Sequence, residues 1–149
     1  MYIDVDNQKT YIATGSKDHI QGNLGITFVH GTAMDHTVWT LASRHFARRG
    51  LNILAVDLPG HGRSEGDVIS SIEGMADWVV KALDASNQDK TIIVGHSMGS
   101  LVAFDVAARY PDRITALAMV GTSIPMPVGD VLLDNAKADK HVAKEMVNF

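Results

Sequence analysis

Short apolar runs alternate with segments of helical periodicity along most of this chain, and this alternation restricts the fold more than any other feature. Apolar runs at residues 25–29, 53–56, 91–94 and 114–120 predict strands that are covered on both faces. The segments between them carry apolar residues at helical spacing, most clearly over residues 72–83. Helical segments of this length between strands typically connect parallel neighbours in right-handed β-α-β units. The sequence therefore predicts an α/β fold, with a mostly parallel sheet and helices on both faces.

Polar residues and glycines indicate where these helices begin and end. Asp35 or Thr37 can cap a helix that ends at Gly50. Ser70 and Glu73 stand three residues apart, which predicts a capping box at the start of the next helix. A further β-branched and aromatic segment, residues 9–14, predicts a strand at the edge of the sheet.

Composition and charge exclude several classes of partner. The net charge is −4 and the basic residues form no stripe, so nucleic acid is not expected as a partner. The chain has no cysteine, which excludes disulfides and thiolate catalysis and fits a reducing compartment. No apolar run approaches the roughly 18 residues that span a bilayer. We expect a cytoplasmic protein that acts on a small molecule without a membrane partner.

The segment TIIVGHSMGSLVAF, residues 91–104, places a Gly-x-Ser-x-Gly turn between a strand and a helix. In such a turn the serine sits on strained backbone, and its hydroxyl projects from the carboxyl end of the sheet. Gly95 and Gly99 lack the Cβ that would collide where strand and helix approach closely. Because Ser97 opens the helix, the amide of Met98 faces any oxyanion formed there. The pattern predicts a nucleophile for acyl transfer, whereas a tight turn with an incidental serine is the alternative interpretation.

A second oxyanion donor is expected from the loop that follows the strand at 25–29. This loop begins with Gly31, which permits the chain to fold back, and the amide of Thr32 is the predicted donor. His30, His61 and His96 are interpreted as buried histidines that hold loops by hydrogen bonds.

Four histidines fall near the carboxyl ends of predicted strands, which raises the question of a metal site. His30, His36, His61 and His96 lack the short, fixed ligand spacing of a zinc motif. No metal and no other cofactor is therefore predicted.

Three motifs in this order resemble the α/β-hydrolase superfamily: HGTAMD at 30–35, DLPGHGRS at 57–64 and GHSMG at 95–99. The resemblance is to the branch that contains esterases, lactonases, carbon-carbon bond hydrolases and cofactor-free haloperoxidases. It implies that Ser97 is the nucleophile and that the amides of Thr32 and Met98 form the oxyanion hole. It also implies a hydrolase core at residues 1–121, followed at 122–149 by the start of a helical cap. Small carboxylic esters, lactones or related acyl compounds are the expected substrates.

The resemblance also implies a triad in the chain order serine, acid, histidine. The candidates after Ser97 are Asp105, Asp112, Asp130, Asp134, Asp139, Glu145 and His141. Asp105 is in the middle of a predicted helix and Asp112 follows a helix-stopping proline, so neither follows a later strand, and His141 is interpreted as a solvated helix residue. The acid and the histidine are therefore expected in a missing carboxy-terminal part or in another chain. The same sequence would cover the strand at 114–120, whose uncharged edge would otherwise invite pairing. Alone, the 149-residue chain is expected to be inactive.

Two other functions remain open from the sequence. The chain can be a non-catalytic ligand-binding or interaction module on the same scaffold. It can also catalyse perhydrolysis, which would use the same residues.

Overall fold

The computed structural model describes residues 1–138 and 141–147, and in this part of the chain six strands form one mixed sheet. The strands are β1 (Tyr2–Val5), β2 (Gln8–Ala13), β3 (Gly25–Val29), β4 (Asn52–Val56), β5 (Thr91–His96) and β6 (Ile114–Val120). The helices are α1 (Thr40–Ala47), α2 (Ile72–Ala85), α3 (Met98–Arg109), α4 (Asp130–Lys137) and α5 (His141–Val147). Short 3-10 turns at His36–Trp39 and Pro111–Arg113 precede α1 and β6.

The four predicted strands form the parallel part of the sheet, in the order β4-β3-β5-β6. β3 lies between β4 and β5, and Val29 at its end pairs with Val56 and with Gly95. The loops that leave these three strands therefore start side by side at one edge of the sheet. This arrangement confirms the predicted α/β class and sets the position of the site.

β2 lies inside the sheet, so the prediction of an edge strand at 9–14 is wrong in position. β2 pairs antiparallel with β1 on one side and with β4 on the other. The hairpin turn uses Asp6 and Asn7, whose φ angles of 53° and 61° suit a tight two-residue connection. Since Asp and Asn tolerate this left-handed conformation, the pair was a sequence signal for β1.

Helices cover both faces of the sheet, as predicted, and each face has its own apolar cluster. On one face, Leu54 and Ile93 pack against Val79 of α2 and Val102 of α3. On the other face, Phe28 and its neighbours pack against α1. Burying each such side chain contributes about 1.5–3 kcal/mol. No helix in the described part of the chain is both long and apolar enough to cross a membrane.

The cap of α2 is Ser71, so the predicted capping box at Ser70 and Glu73 is wrong by one residue. Ser71 has an extended backbone, with φ −125° and ψ 148°, and its Oγ accepts a hydrogen bond from the Gly74 amide at 3.1 Å. The third helical residue is thus Gly74. It has no side chain that could accept a hydrogen bond from the Ser71 amide, as a capping box requires. Glu73 still lies in the first turn, where its negative charge interacts favourably with the positive end of the helix dipole.

The Ser71→Ala substitution is expected to lower the free energy of unfolding by about 1 kcal/mol, because it removes this cap. Ser70→Ala is expected to change it by less than about 0.5 kcal/mol, since Ser70 is exposed and caps nothing. Urea denaturation of the two variants measures both values. An equal loss in both variants would contradict the assignment of the cap.

The sheet ends at β6, and α4 and α5 follow it as a helical pair. β6 pairs with β5 alone among the described strands, and Leu117 and Val120 are 37% and 45% exposed. α4 and α5 contact each other. The division into a core up to residue 121 and a cap from 122 stays a prediction, and Asp139 lies outside the described residues.

Candidate active site

Ser97 occupies a strained turn between β5 and α3. Its φ of 52° and ψ of −121° lie in a region that residues with a Cβ rarely adopt. The turn is held from both sides, because the Ser97 amide donates to the Val120 carbonyl at 2.9 Å and the Ser97 carbonyl accepts from the Ser100 amide at 2.8 Å. The backbone around Ser97 is therefore fixed by β6 and by the first turn of α3.

Two glycines allow the strand and the helix to approach each other at this turn. A Cβ on Gly95 would collide with the carbonyl group of Gly99. A Cβ on Gly99 would collide with the carbonyl oxygens of Val29 and His30 at the end of β3. The glycines of the motif are thus required by backbone contacts.

Ser97→Gly is expected to be more stable than Ser97→Ala, by about 1–2 kcal/mol, because glycine adopts a positive φ without steric cost. Both variants lose the hydroxyl, so the comparison isolates backbone strain. Thermal unfolding of the pair measures the difference. Equal stability would indicate that the turn relaxes when Ser97 is replaced.

The loop after β3 brings Gly31 and Thr32 next to Ser97. A Cβ on Gly31 would lie 3.2 Å from the Ser97 Cβ and 3.1 Å from His96 Nδ1, so the loop backbone passes directly beside the serine. Thr32 lines the same cavity as Ser97 and Met98. The structure thus brings the predicted site residues together, while the roles of the Thr32 and Met98 amides as donors stay predictions.

His30 and His61 hold loops, as the sequence indicated. His30 is fully buried; its Nε2 accepts from the Leu58 amide at 3.2 Å, which leaves Nδ1 to donate to the Gly31 carbonyl at 2.8 Å. Burial lowers the pKa of His30, so the ring is neutral near pH 7. His61 Nδ1 bonds the Pro59 carbonyl at 2.9 Å.

His96 does not hold a loop in this way, and that part of the interpretation is wrong. Its Nδ1 is buried and has no hydrogen-bond partner among the described residues. The ring lies on the α1 face of the sheet, with its centroid 6.4 Å from that of Trp39. Trp39 itself stacks on Phe28 at 4.9 Å and packs, partly buried, against the apolar cluster on this face.

Asp57, at the end of β4, anchors the loops around the site, and sequence reasoning did not identify it. Its carboxylate is fully buried and accepts from the amides of His36 at 2.7 Å and Arg63 at 2.9 Å. The His36 ring also contacts both of its oxygens, at 2.9 and 3.0 Å. Ser64 donates to the Asp57 carbonyl at 2.7 Å. Asp57 thus joins the loop that carries Thr32 to the turn after β4.

Asp35, His36 and Asp57 also place potential metal-ligand atoms within 4.8 Å of one another. Both carboxylate oxygens of Asp57 already accept hydrogen bonds from amides. Asp35 accepts from the Thr37 amide at 2.8 Å and caps the 3-10 turn. Hydrogen bonding within the loops therefore accounts for these groups.

A cavity of about 750 Å³ lies over Ser97. Its walls come from the loop after β3, the start of α3, and the α4–α5 pair. The described lining residues are Thr32, Ala33, Ile72, Ser97, Met98, Leu101, Met126, Pro127, Val128, Gly129, Leu132, Leu133, Ala136, Ala143 and Met146.

A second depression, of about 710 Å³, lies near the amino-terminal ends of the parallel strands. Gln88 lines it, but the Gln88 side chain already donates to the carbonyls of Asn23 and Lys90 and accepts from the side-chain amide of Asn52. Open α/β sheets bind ligands at the carboxyl ends of their strands. We therefore assign the functional site to the cavity over Ser97.

Residues 1–138 provide no hydrogen-bonded base for Ser97. No side chain in residues 1–138 hydrogen-bonds to its hydroxyl. Asp105 instead pairs with Arg109, whose Nε lies 2.6 Å from Asp105 Oδ2. His141 begins α5 and is not among the described residues that line the cavity.

Comparison with known proteins identifies the family. The profile described as alpha/beta hydrolase fold matches residues 26–148. The chain therefore belongs to the α/β-hydrolase fold family, which confirms the resemblance seen in its motifs. It is 37% identical over 103 residues to a pimeloyl-(acyl-carrier protein) methyl ester esterase of Citrobacter koseri, covering 69% of this chain and 38% of that protein.

Solved structures show the same fold at lower identity. A predicted CIB-like hydrolase from Thermoplasma acidophilum is 24% identical with a TM-score of 0.72, covering 80% of this chain and 60% of that one. An N-acyl homoserine lactone degrading enzyme is 24% identical with a TM-score of 0.75, covering 93% of this chain and 52% of that one. The chain thus spans between about two fifths and three fifths of the length of these relatives.

Proposed function

We propose that this chain carries the nucleophile and the oxyanion hole of a serine hydrolase that acts on small carboxylic esters, lactones or related acyl compounds. The observation that carries the proposal is the positive φ of Ser97 at a strand-helix turn, beside the loop of Gly31 and under an open cavity. Its similarity to a methyl ester esterase supports the same reaction class.

In the proposed reaction, the Ser97 oxygen attacks the acyl carbonyl carbon while a base takes the hydroxyl proton. The carbonyl oxygen becomes an oxyanion, held by the amides of Thr32 and Met98. The alcohol then leaves with a proton returned by the base, and an acyl ester on Ser97 remains. Water hydrolyses that ester by the same steps and regenerates the serine.

The base and its acid partner are proposed to come from sequence that the relatives carry beyond the matched portion. Ser97 needs such a base, since a serine hydroxyl alone is a weak nucleophile. The same additional sequence, or another chain, would pair with the exposed edge of β6. The end of β6 lies next to the site, because the Val120 carbonyl accepts a hydrogen bond from the Ser97 amide.

A non-catalytic binding module is the second candidate. The observation that favours it is the lack of a hydrogen-bonded base at Ser97 among residues 1–138. Such a module would keep the cavity for ligand binding without turnover.

Labelling with a fluorophosphonate probe distinguishes the two functions. In the native gene product we expect an adduct that is absent in Ser97→Ala and present in Ser70→Ala, which serves as the matched control. The 149-residue chain on its own is expected to label at a far lower rate, because the proposed base lies outside it. A folded native product that stays unlabelled would instead support the binding module.

A further inference from the structure

The described side chains that line the cavity over Ser97 are almost entirely apolar. Apart from the hydroxyls of Thr32 and Ser97, the described side chains that line it are aliphatic or thioether groups. None of these lining residues carries a charge. Such a lining is unusual for a site that binds a charged ligand, because a buried charge needs an opposite charge or several hydrogen-bond partners.

The apolar walls come from two separate parts of the chain. Met98 and Leu101 belong to the first turns of α3, immediately after the nucleophile. Leu132 and Ala136 of α4 and Met146 of α5 also line the cavity. A ligand group that extends from Ser97 into this space therefore meets apolar side chains from both parts of the chain.

The volume of about 750 Å³ is within the range of sites that enclose a small organic ligand. Such a volume is much larger than an acetyl group needs. An aliphatic chain of roughly eight carbons would fill part of it and would remove the apolar walls from water. A flexible thioether such as Met98, Met126 or Met146 adapts readily to chains of different shape.

From these features we infer that the cavity binds the uncharged aliphatic chain of a medium-length ester and rejects chains that end in a charge. The inference rests on the proposed function only for the position of the ester group at Ser97. The binding of the chain itself depends on the lining residues. Among the described lining residues a carboxylate at the far end of the chain has no charged partner, so it would be buried unpaired or would keep part of the chain in water.

The test measures binding rather than turnover, so that it remains informative if Ser97 is not a nucleophile. Methyl octanoate and monomethyl suberate are compared on the Ser97→Ala variant of the 149-residue chain by calorimetric titration. The two probes share a methyl ester and a similar length, and differ in the carboxylate at the far end. We expect methyl octanoate to bind at least about tenfold more tightly than monomethyl suberate.

The seven methionines of the chain locate the bound probe. With ¹³C-methyl methionine labelling, methyl octanoate is expected to shift the resonances of Met98, Met126 and Met146, which line the cavity. The other four, which do not line it, serve as internal controls: Met1, Met34, Met75 and Met119.

Filling the cavity supplies a second test. Ala136→Trp places an indole in the lining and is expected to weaken methyl octanoate binding by about tenfold or more. Ala108→Trp, on the exposed side of α3, is the matched control and is expected to bind as the parent does. Circular dichroism verifies that both variants are folded.

Equal affinity for the two probes would overturn the inference, as would shifts confined to the four control methionines. Neither result would affect the proposed reaction, which is tested by labelling of Ser97. Conversely, selective binding of methyl octanoate without any labelling of the native product would retain this inference and reject the hydrolase.

Discussion

Replacing Ser97 with alanine is expected to lower kcat/KM for p-nitrophenyl butyrate by at least about 1,000-fold in the native gene product. The substitution removes the atom that forms the acyl-enzyme. It is expected to leave the loop of Gly31 and the walls of the cavity in place, since alanine differs from serine only by the lost hydroxyl. Initial rates at several substrate concentrations, followed by release of p-nitrophenol, give the ratio. The loss should appear in kcat rather than KM, because ground-state contacts are retained.

Ser70→Ala is the control for this measurement, because Ser70 is exposed and lies outside the cavity lining. It is expected to retain the parent rate. A Ser97→Ala variant with more than about a tenth of the parent activity would show that another residue is the nucleophile.

Gly99→Ala is expected to lower the free energy of unfolding by about 3 kcal/mol or to prevent folding. Position 99 is the second residue of α3, where helix propensity alone predicts a gain of up to about 1 kcal/mol from the same change. The added Cβ, however, meets the carbonyl oxygens of Val29 and His30. These atoms belong to the backbone at the end of β3, so they cannot move without displacing the loop that carries Thr32.

The matched control is Gly129→Ala, whose Cβ would enter open space. Urea denaturation is expected to give a value within about 1 kcal/mol of the parent for this variant. If Gly99→Ala proves as stable as Gly129→Ala, then α3 does not lie against β3 as described, and the geometry of the site would have to be revised.

The parallel part of the sheet was predictable because its signals are local. Each of the strands β3 to β6 is a continuous apolar run, and the helices between them have clear periodicity. The turn at Ser97 was likewise predictable, since its two glycines and its flanking strand and helix lie within a few residues.

The features that the sequence did not predict correctly depend on contacts between residues far apart in the chain, on the exact first residue of a helix, or on a very short signal. Asp57 and His36 are 21 residues apart, and nothing local to either indicates that one carboxylate anchors two loops. The cap of α2 fell on Ser71 rather than Ser70 because the helix begins one residue later than the box pattern suggested. The strand β1 is short and its signal was a two-residue turn at Asp6 and Asn7.

The cavity wall was also beyond sequence reasoning. The tail from residue 129 is only weakly amphipathic, so its pattern does not indicate which side chains face the site. The structure places Leu132 and Ala136 of α4 over Ser97. The apolar character of the site follows from this packing, and not from any motif.

A crystal structure of the fluorophosphonate adduct tests the central claim most directly. We expect the phosphorus to be bonded to the Ser97 oxygen, with the phosphonyl oxygen about 2.7–3.1 Å from the amides of both Thr32 and Met98. An adduct on another residue, or a phosphonyl oxygen that points away from both amides, would contradict the assignment of the nucleophile and its oxyanion hole.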